Sequence, residues 1–392
     1  MNKNILWWNR VLVLGVGLGL LFGTQVSAQT TTWIGIFNNN EWNHTKDGLT
    51  NWDGPFNGSS IDAVIDLPPG TNEYTVVLND ALIGASDLVI NLNSLTVGPN
   101  ASLQIADTLD FTGSAQTTLT NHGLIFVRDQ NGSHLLRLVG NVLNTGTMIA
   151  DHDVFANSNW FVVSAAGATL QGGGVTELAG NLGAQITGPV GAVLQIEDQI
   201  IEGRGEFGTN TLQILNGPMG IIRASTGTFI VDAGTAGMTN SGMMSADGGT
   251  LVIEDSDLDN SGGTIQAELG SEVQFRSTEL VGGEVTGDGI IRISSNSTFR
   301  NVTNTSNLLT IPNTQDLQIA ETLTNISDIS ISDSQGGDAT IEVLAEGALI
   351  NGGGTITMSG NTPMITGVAG AVLVLEDQTI NGSGTVGGDS IG

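Results

Sequence analysis

Short alternations of apolar and polar residues recur along most of the chain. Leu95-Thr96-Val97, Leu103-Gln104-Ile105, Leu251-Val252-Ile253 and Ile290-Ile291-Arg292-Ile293 are strand signatures, the period expected where one face of a strand is buried. Leu251 and Ile253 are expected to point inward, with Val252 outside or in a second layer. Asn-Gly, Asp-Gly and Gly-Gly pairs punctuate the runs and mark turns. One mark keeps a fixed form, Asn-x-Gly shortly before an apolar strand start. It appears at Asn121-His122-Gly123, Asn144-Thr145-Gly146, Asn240-Ser241-Gly242 and Asn260-Ser261-Gly262, with spacings of 23, 96 and 20 residues. The middle gap is four steps of 24, so the unit is about 20–24 residues, the length of one solenoid coil. Asn and Gly suit its corners because both enter the left-handed backbone region at low cost.

The chain also repeats itself at long range. Leu170–Gly208 and Leu349–Gly387 align, with three-glycine runs starting at Gly172 and Gly352, 180 positions apart. The wider duplication spans about 119–208 and 300–387. A long internal duplication built on a short unit predicts stacked coils, since one coil alone cannot bury its apolar face. The expected fold class is all-β: a parallel β-helix (β-solenoid) over residues 81–392, right-handed by the bias of parallel crossovers. From about residue 90 there is room for roughly 13 coils. At about 4.8 Å per coil they make a rod on the order of 60 Å long. A string of antiparallel sandwiches is the rival reading. Its units are longer than these coils, and with Tyr74 the lone tyrosine there is no tyrosine corner.

Residues 1–28 read as a secretory signal. Lys3 and Arg10 give the positive start, Val11–Phe22 the apolar run, and Val26-Ser27-Ala28 the small residues before cleavage. The run is shorter than the roughly 20 residues a membrane span needs. Residues 29–80 differ from the rest: Trp33, Trp42 and Trp52 cluster there with Phe37 and Phe56. They are expected to form an N-terminal cap with the first strands, covering apolar surface and ladder edges; a platform for sugar rings is the functional alternative. At the other end, coil-like sequence continues to Gly392 without a polar closing segment, and the expectation is that the solenoid is truncated there.

Composition narrows the function. The formal net charge is −29, becoming −31 without Lys3 and Arg10 of the signal. Such a surface repels nucleic acid and anionic lipid and keeps an extended secreted protein soluble. With 0 Cys, no disulfide supports the fold despite export.

Asn51-Trp52-Asp53-Gly54-Pro55 with Ile61-Asp62-Ala63-Val64-Ile65, then Ser94-Leu95-Thr96-Val97-Gly98 and Gly262-Gly263-Thr264-Ile265, carry a resemblance. The chain resembles bacterial secreted β-strand-repeat proteins, including autotransporter passengers and filamentous-haemagglutinin-like surface proteins. The resemblance implies display at the cell surface and a role in adhesion or matrix. The chain departs from a complete autotransporter in lacking a C-terminal membrane barrel sequence.

Parallel β-helices also host polysaccharide lyases and glycosidases, which need particular catalytic groups. Bases are sparse here and form no Arg-rich pair suited to uronic acids. No spacing selects a facing pair of carboxylates, which glycosidases need. Glu197-Asp198, Glu254-Asp255 and Glu376-Asp377 each follow a strand end, which fits a repeated acidic corner better than one active site. Asp255, Asp257 and Asp259 resemble the start of an EF-hand loop, but Asn260 stands at the glycine position and Gln266 at that of the bidentate Glu. Calcium there is a hypothesis to test. Asp151-His152-Asp153 has no ligand spacing from His44, His122 or His134. No catalytic, cofactor or metal set is assigned. The reading is an exported, non-catalytic solenoid of a surface or matrix protein, an adhesin or spacer, whose partner is an extracellular polysaccharide or a host or cell-surface ligand. A secreted carbohydrate-active β-helix is the alternative.

Overall fold

The computed structural model describes residues 29–32, 45–46, 49–50, 60–66, 74–79, 89–106, 108–113, 116–128, 134–152, 159–180, 184–333 and 336–387. The signal at 1–28 and the cluster of Trp33, Trp42 and Trp52 lie outside these residues. One continuous sheet of 37 strands contains all but two of the strands, and its strands pair in parallel. The exception is the antiparallel pair Thr45–Lys46 with Leu49–Thr50. The chain makes a β-solenoid of about 12 turns. This parallel pairing excludes the sandwich reading.

Each coil contributes one strand to each of three faces in turn. On the first face Ser94–Val97 pairs with Thr117–Asn121, which pairs with residues 141–144. On the second, Ala101–Ala106 pairs with Leu124–Val127, and that with Thr147–Asp151. On the third, Thr108–Phe111 pairs with residues 135–136, and His134–Asn144 with 159–163. Several strands run through a corner without ending, including His134–Asn144, Ile221–Val231, Ser297–Asn304, Asp316–Asn325 and Thr340–Asn351. Each contains one residue with left-handed backbone: Gly140, Gly227, Asn301, Glu321 and Gly347, at φ of 55–79°. That residue bends the ladder, which shifts register at Leu138/Gly140, Arg300/Val302 and Ile319/Glu321.

Alternation sends every second side chain inward, and register stacks these into columns. On the third face Leu136, Phe161, Ile186, Phe207, Val231, Ile253, Phe275 and Ile293 follow one another coil by coil, and all are fully buried. Phe275 also meets Phe299 of the first face edge-on, at 5.2 Å between ring centres, a favoured aromatic geometry. Val252 lies on an outward column between Ile230 and Gln274. It is nevertheless fully buried.

Buried asparagines tie the corners together. At the corner between first and second faces, Asn121 Nδ2 donates to Asn144 Oδ1 at 2.8 Å. In the same way Asn216 donates to Asn240, and Asn240 to Asn260, both at 2.7 Å. These are the marked asparagines, joined by Asn216. The three-glycine runs solve a local problem in this stack. The coil after Asn144 has Gly172-Gly173-Gly174 at the corner, and a Cβ on Gly174 would lie 2.5 Å from the Gly146 carbonyl oxygen and 2.9 Å from Asn144 Nδ2. Gln199, one coil further on, reaches across the bare glycines: its Nε2 donates to the Asn144 carbonyl at 2.7 Å, and its Oε1 accepts from Asn144 Nδ2 at 2.8 Å. The second copy repeats the knot. Gln378 exchanges the same two bonds with Asn325, both at 3.0 Å, over Gly352-Gly353-Gly354.

The two copies are out of phase with the coil. Leu170 lies on the first face, paired with Ile196. Its counterpart Ile350 lies on the second face, paired with Leu323 and Leu375. The strands that follow, Val175–Ala179 and Thr355–Gly360, occupy the second and third faces respectively.

Candidate functional site

The described arginines are committed between coils. Among them, Arg128, Arg137, Arg223, Arg276, Arg292 and Arg300 pair with carboxylates. Arg128 meets Asp151 at 3.2 Å, Arg137 meets Asp110 at 2.9 Å, Arg276 meets Glu254 at 3.3 Å and Arg300 meets Glu279 at 2.5 Å. Arg223 pairs with Glu202 and Arg292 with Glu272. Each pair links adjacent coils, and Arg300 also reaches Glu346 at 3.5 Å, two coils away. Arg204 donates to the Gly180 carbonyl. Partly exposed pairs of this kind contribute about 0.2–1 kcal/mol each.

The repeated Glu-Asp steps do not converge. Glu197-Asp198 follows a first-face strand, Glu376-Asp377 a second-face strand, and Glu254-Asp255 begins at the end of a third-face strand. They therefore occupy three different corners of the rod. Asp198 has a structural role, since its Oδ1 accepts from the Gly172 amide at 2.6 Å. Asp255 and Asp377 adopt left-handed backbone, at φ of 47° and 57°.

Asp257 and Asp259 alternate with buried Leu258 on Asp257–Asp259, and Asp255 is exposed before it. Both strand carboxylates face outward from an extended strand. Asp259 Oδ1 accepts from the Ser261 hydroxyl and amide, at 2.6 and 3.0 Å, and these bonds lower its pKa. Among the described residues, no three His, Cys, Asp or Glu side chains gather in a way that could hold a metal ion. The described part of the Asp151-His152-Asp153 motif is an Arg128 partner, Asp151, beside a buried His152.

Carboxylates do crowd at several places. Asp232 lies near Glu254, Asp255 and Glu206, and its pKa is pushed up to about 6, first by burial and then by those charges, against a bond from the Gly234 amide. Asp316, half-buried near Glu342 and Asp338, is raised by the same causes, as is Glu177 beside Glu202 and Asp151.

A concavity lies on the corner between second and third faces. It is a groove of about 580 Å³ running across four consecutive coils. Gly227, Gly249, Gly270 and Gly289 leave this edge bare. A Cβ on Gly249 or Gly289 would fall 2.6 or 2.4 Å from a carbonyl oxygen of the coil beneath, whereas Gly270 faces open space. The glycine spacing of 22, 21 and 19 residues was visible in the sequence and was the signal that could have found this edge. Leu269, 82% exposed, forms an apolar wall. Thr228, Thr250 and Glu272 stand in register, one per coil, on an outward column, and exposed Asp288 closes one end.

Comparison with protein-family models, characterised proteins and solved structures returned no match. The fold defines a parallel β-solenoid. No described helix is long and apolar enough to cross a membrane.

Proposed function

We propose that the chain is an exported, non-catalytic β-solenoid of a surface or extracellular matrix protein, serving in adhesion or as a stiff spacer. One observation carries this reading: its distinctive polar side chains link coil to coil. Six arginines and the buried Asn and Gln residues bond to neighbouring coils. Such a network maintains a rod of roughly 60 Å, and rod and flat faces are what an adhesin or spacer uses. The signal-like start of the sequence and the resemblance to secreted bacterial β-strand-repeat proteins support export and surface display. The test is fractionation of the native cell with an antibody to the chain, together with surface adherence before and after gene deletion. Retention in the cytoplasm would remove export; equal adherence would remove adhesion and leave the spacer role. The carbohydrate-active alternative is favoured in its binding half by the groove over Gly227–Gly289.

A further inference from the structure

We infer that the corner groove is a binding site for a neutral, extended polysaccharide. Its volume of about 580 Å³ falls within the usual range of ligand sites. It runs along the rod axis for four coils, about 14 Å at the spacing of parallel strands, which suits a chain rather than a compact molecule. Thr228, Thr250 and Glu272 present hydrogen-bonding groups on three successive coils of a single column, which ends in Ile290 on the fourth. The ligand that matches a column of that period is a polymer with hydroxyls repeating at a similar rise, as in an extended hexose chain. Leu269, 82% exposed, offers an apolar contact for the C–H face of a sugar ring. The bare glycine edge lets the chain approach the backbone closely.

Charge selects the class of polysaccharide. Glu272 and Asp288 face the groove, the chain carries −29, and the nearby cation Arg292 is bonded to Glu272. A uronic-acid polymer would be repelled by the exposed Asp288 carboxylate and by the net negative charge of the chain. A neutral glycan instead donates hydroxyl hydrogens to Asp288.

This inference deepens the adhesion reading and rests on it for its biological setting, but the purified chain tests it alone. Calorimetric titration would use cellohexaose, xylohexaose, mannohexaose, hexagalacturonate and an oligolysine peptide. The expected result is saturable binding of at least one neutral oligosaccharide. The double variant Leu269→Ala/Asp288→Ala should weaken it ~10-fold, about 1.4 kcal/mol. Both residues are exposed, so the variant should keep the parent unfolding temperature. Met219→Ala, 74% exposed at a different corner, should leave affinity unchanged. Absence of neutral-glycan binding, tighter binding of hexagalacturonate or oligolysine, or unchanged affinity in the double variant would overturn the inference. Glycan binding without any role in adherence would instead overturn the adhesion reading and leave the site standing.

Discussion

Gln199→Glu asks whether the knot over the first three-glycine run is held by hydrogen-bond chemistry or by shape. Gln199 is fully buried. It donates to the Asn144 carbonyl at 2.7 Å and accepts from Asn144 Nδ2 at 2.8 Å. Glutamate keeps the shape and the acceptor but turns the donor into a second acceptor facing a carbonyl oxygen. Gln199→Met is the reference: it roughly preserves volume and removes both bonds. Asn144 Nδ2 would retain the Val175 carbonyl at 3.0 Å, and the Asn144 carbonyl would retain the Gly174 amide at 2.9 Å. One Asn144 Nδ2 hydrogen loses its partner, so Gln199→Met should cost about 2–3 kcal/mol. The ionised glutamate is a buried charge without a cation, and should cost about 3–5 kcal/mol at neutral pH.

The pH dependence has a definite sign. Burial raises the folded-state pKa of the introduced carboxyl group above its unfolded value of about 4.3. The stability of the Gln199→Glu variant is therefore fully present below about pH 4.3, where the protonated acid can donate to Asn144, and is lost as pH rises through the folded pKa. Urea unfolding of the parent and both variants at about pH 4 and pH 7.5 reads this directly. The expected order at the higher pH is parent, Met, Glu; at the lower, Glu should equal or exceed Met. If Glu tracks Met at both pH values, the donor at Gln199 is unimportant and the reasoning fails. Gln378 serves as an internal replicate. It makes the same bonds to Asn325 but is only half-buried, so Gln378→Glu should show the same trend with a smaller amplitude.

Gly174→Ala places a methyl group 2.5 Å from the Gly146 carbonyl oxygen and should cost roughly 1–3 kcal/mol or more. Gly173→Ala meets no atom within 4 Å, so only its φ of 72° opposes it, at about 1–2 kcal/mol; chemical denaturation separates the two. Asp232, with its pKa raised from 3.8 to about 6, gives stability that is present below 3.8 and lost as pH climbs through 6. Its contribution should raise the thermal midpoint between pH 7.5 and pH 4.5, and Asp232→Asn should flatten that rise. Phe275→Ala opens a hole beside Phe299 and should cost about 3–5 kcal/mol, measured by the same unfolding assay.

The coil was legible because its corners are local. Asn121, Asn144, Asn240 and Asn260 announce themselves by a glycine two residues later, and each proves to be fully buried in a corner stack. The strand alternations at Leu95–Val97 and Leu103–Ile105 likewise fall on Ser94–Val97 and Ala101–Ala106. Asn216, Asn304 and Asn325 belong to the same kind of stack but lack that mark. Gln199 and Gln378 were invisible for a different reason: their partners lie 55 and 53 residues earlier, and only stacking reveals which side chain reaches over a bare coil. The Glu-Asp steps look equivalent in sequence yet sit on three corners, because variation in coil length erases phase. The groove depends on both effects, since its wall, column and floor come from different coils.

The phase difference between Leu170 and Ile350 has a consequence for how such a rod changes over generations. All three faces accept the same inward alternation and the same spacing, so a gained or lost block need not contain a whole number of coils. Adding a single strand and corner lengthens the rod by about a third of one coil's rise. It also rotates everything downstream to the neighbouring side. Strand number counted in threes then acts as a dial that sets the direction in which a distal surface points, while total strand number sets its reach. A lineage carrying this chain could re-aim a binding edge without altering one residue of that edge.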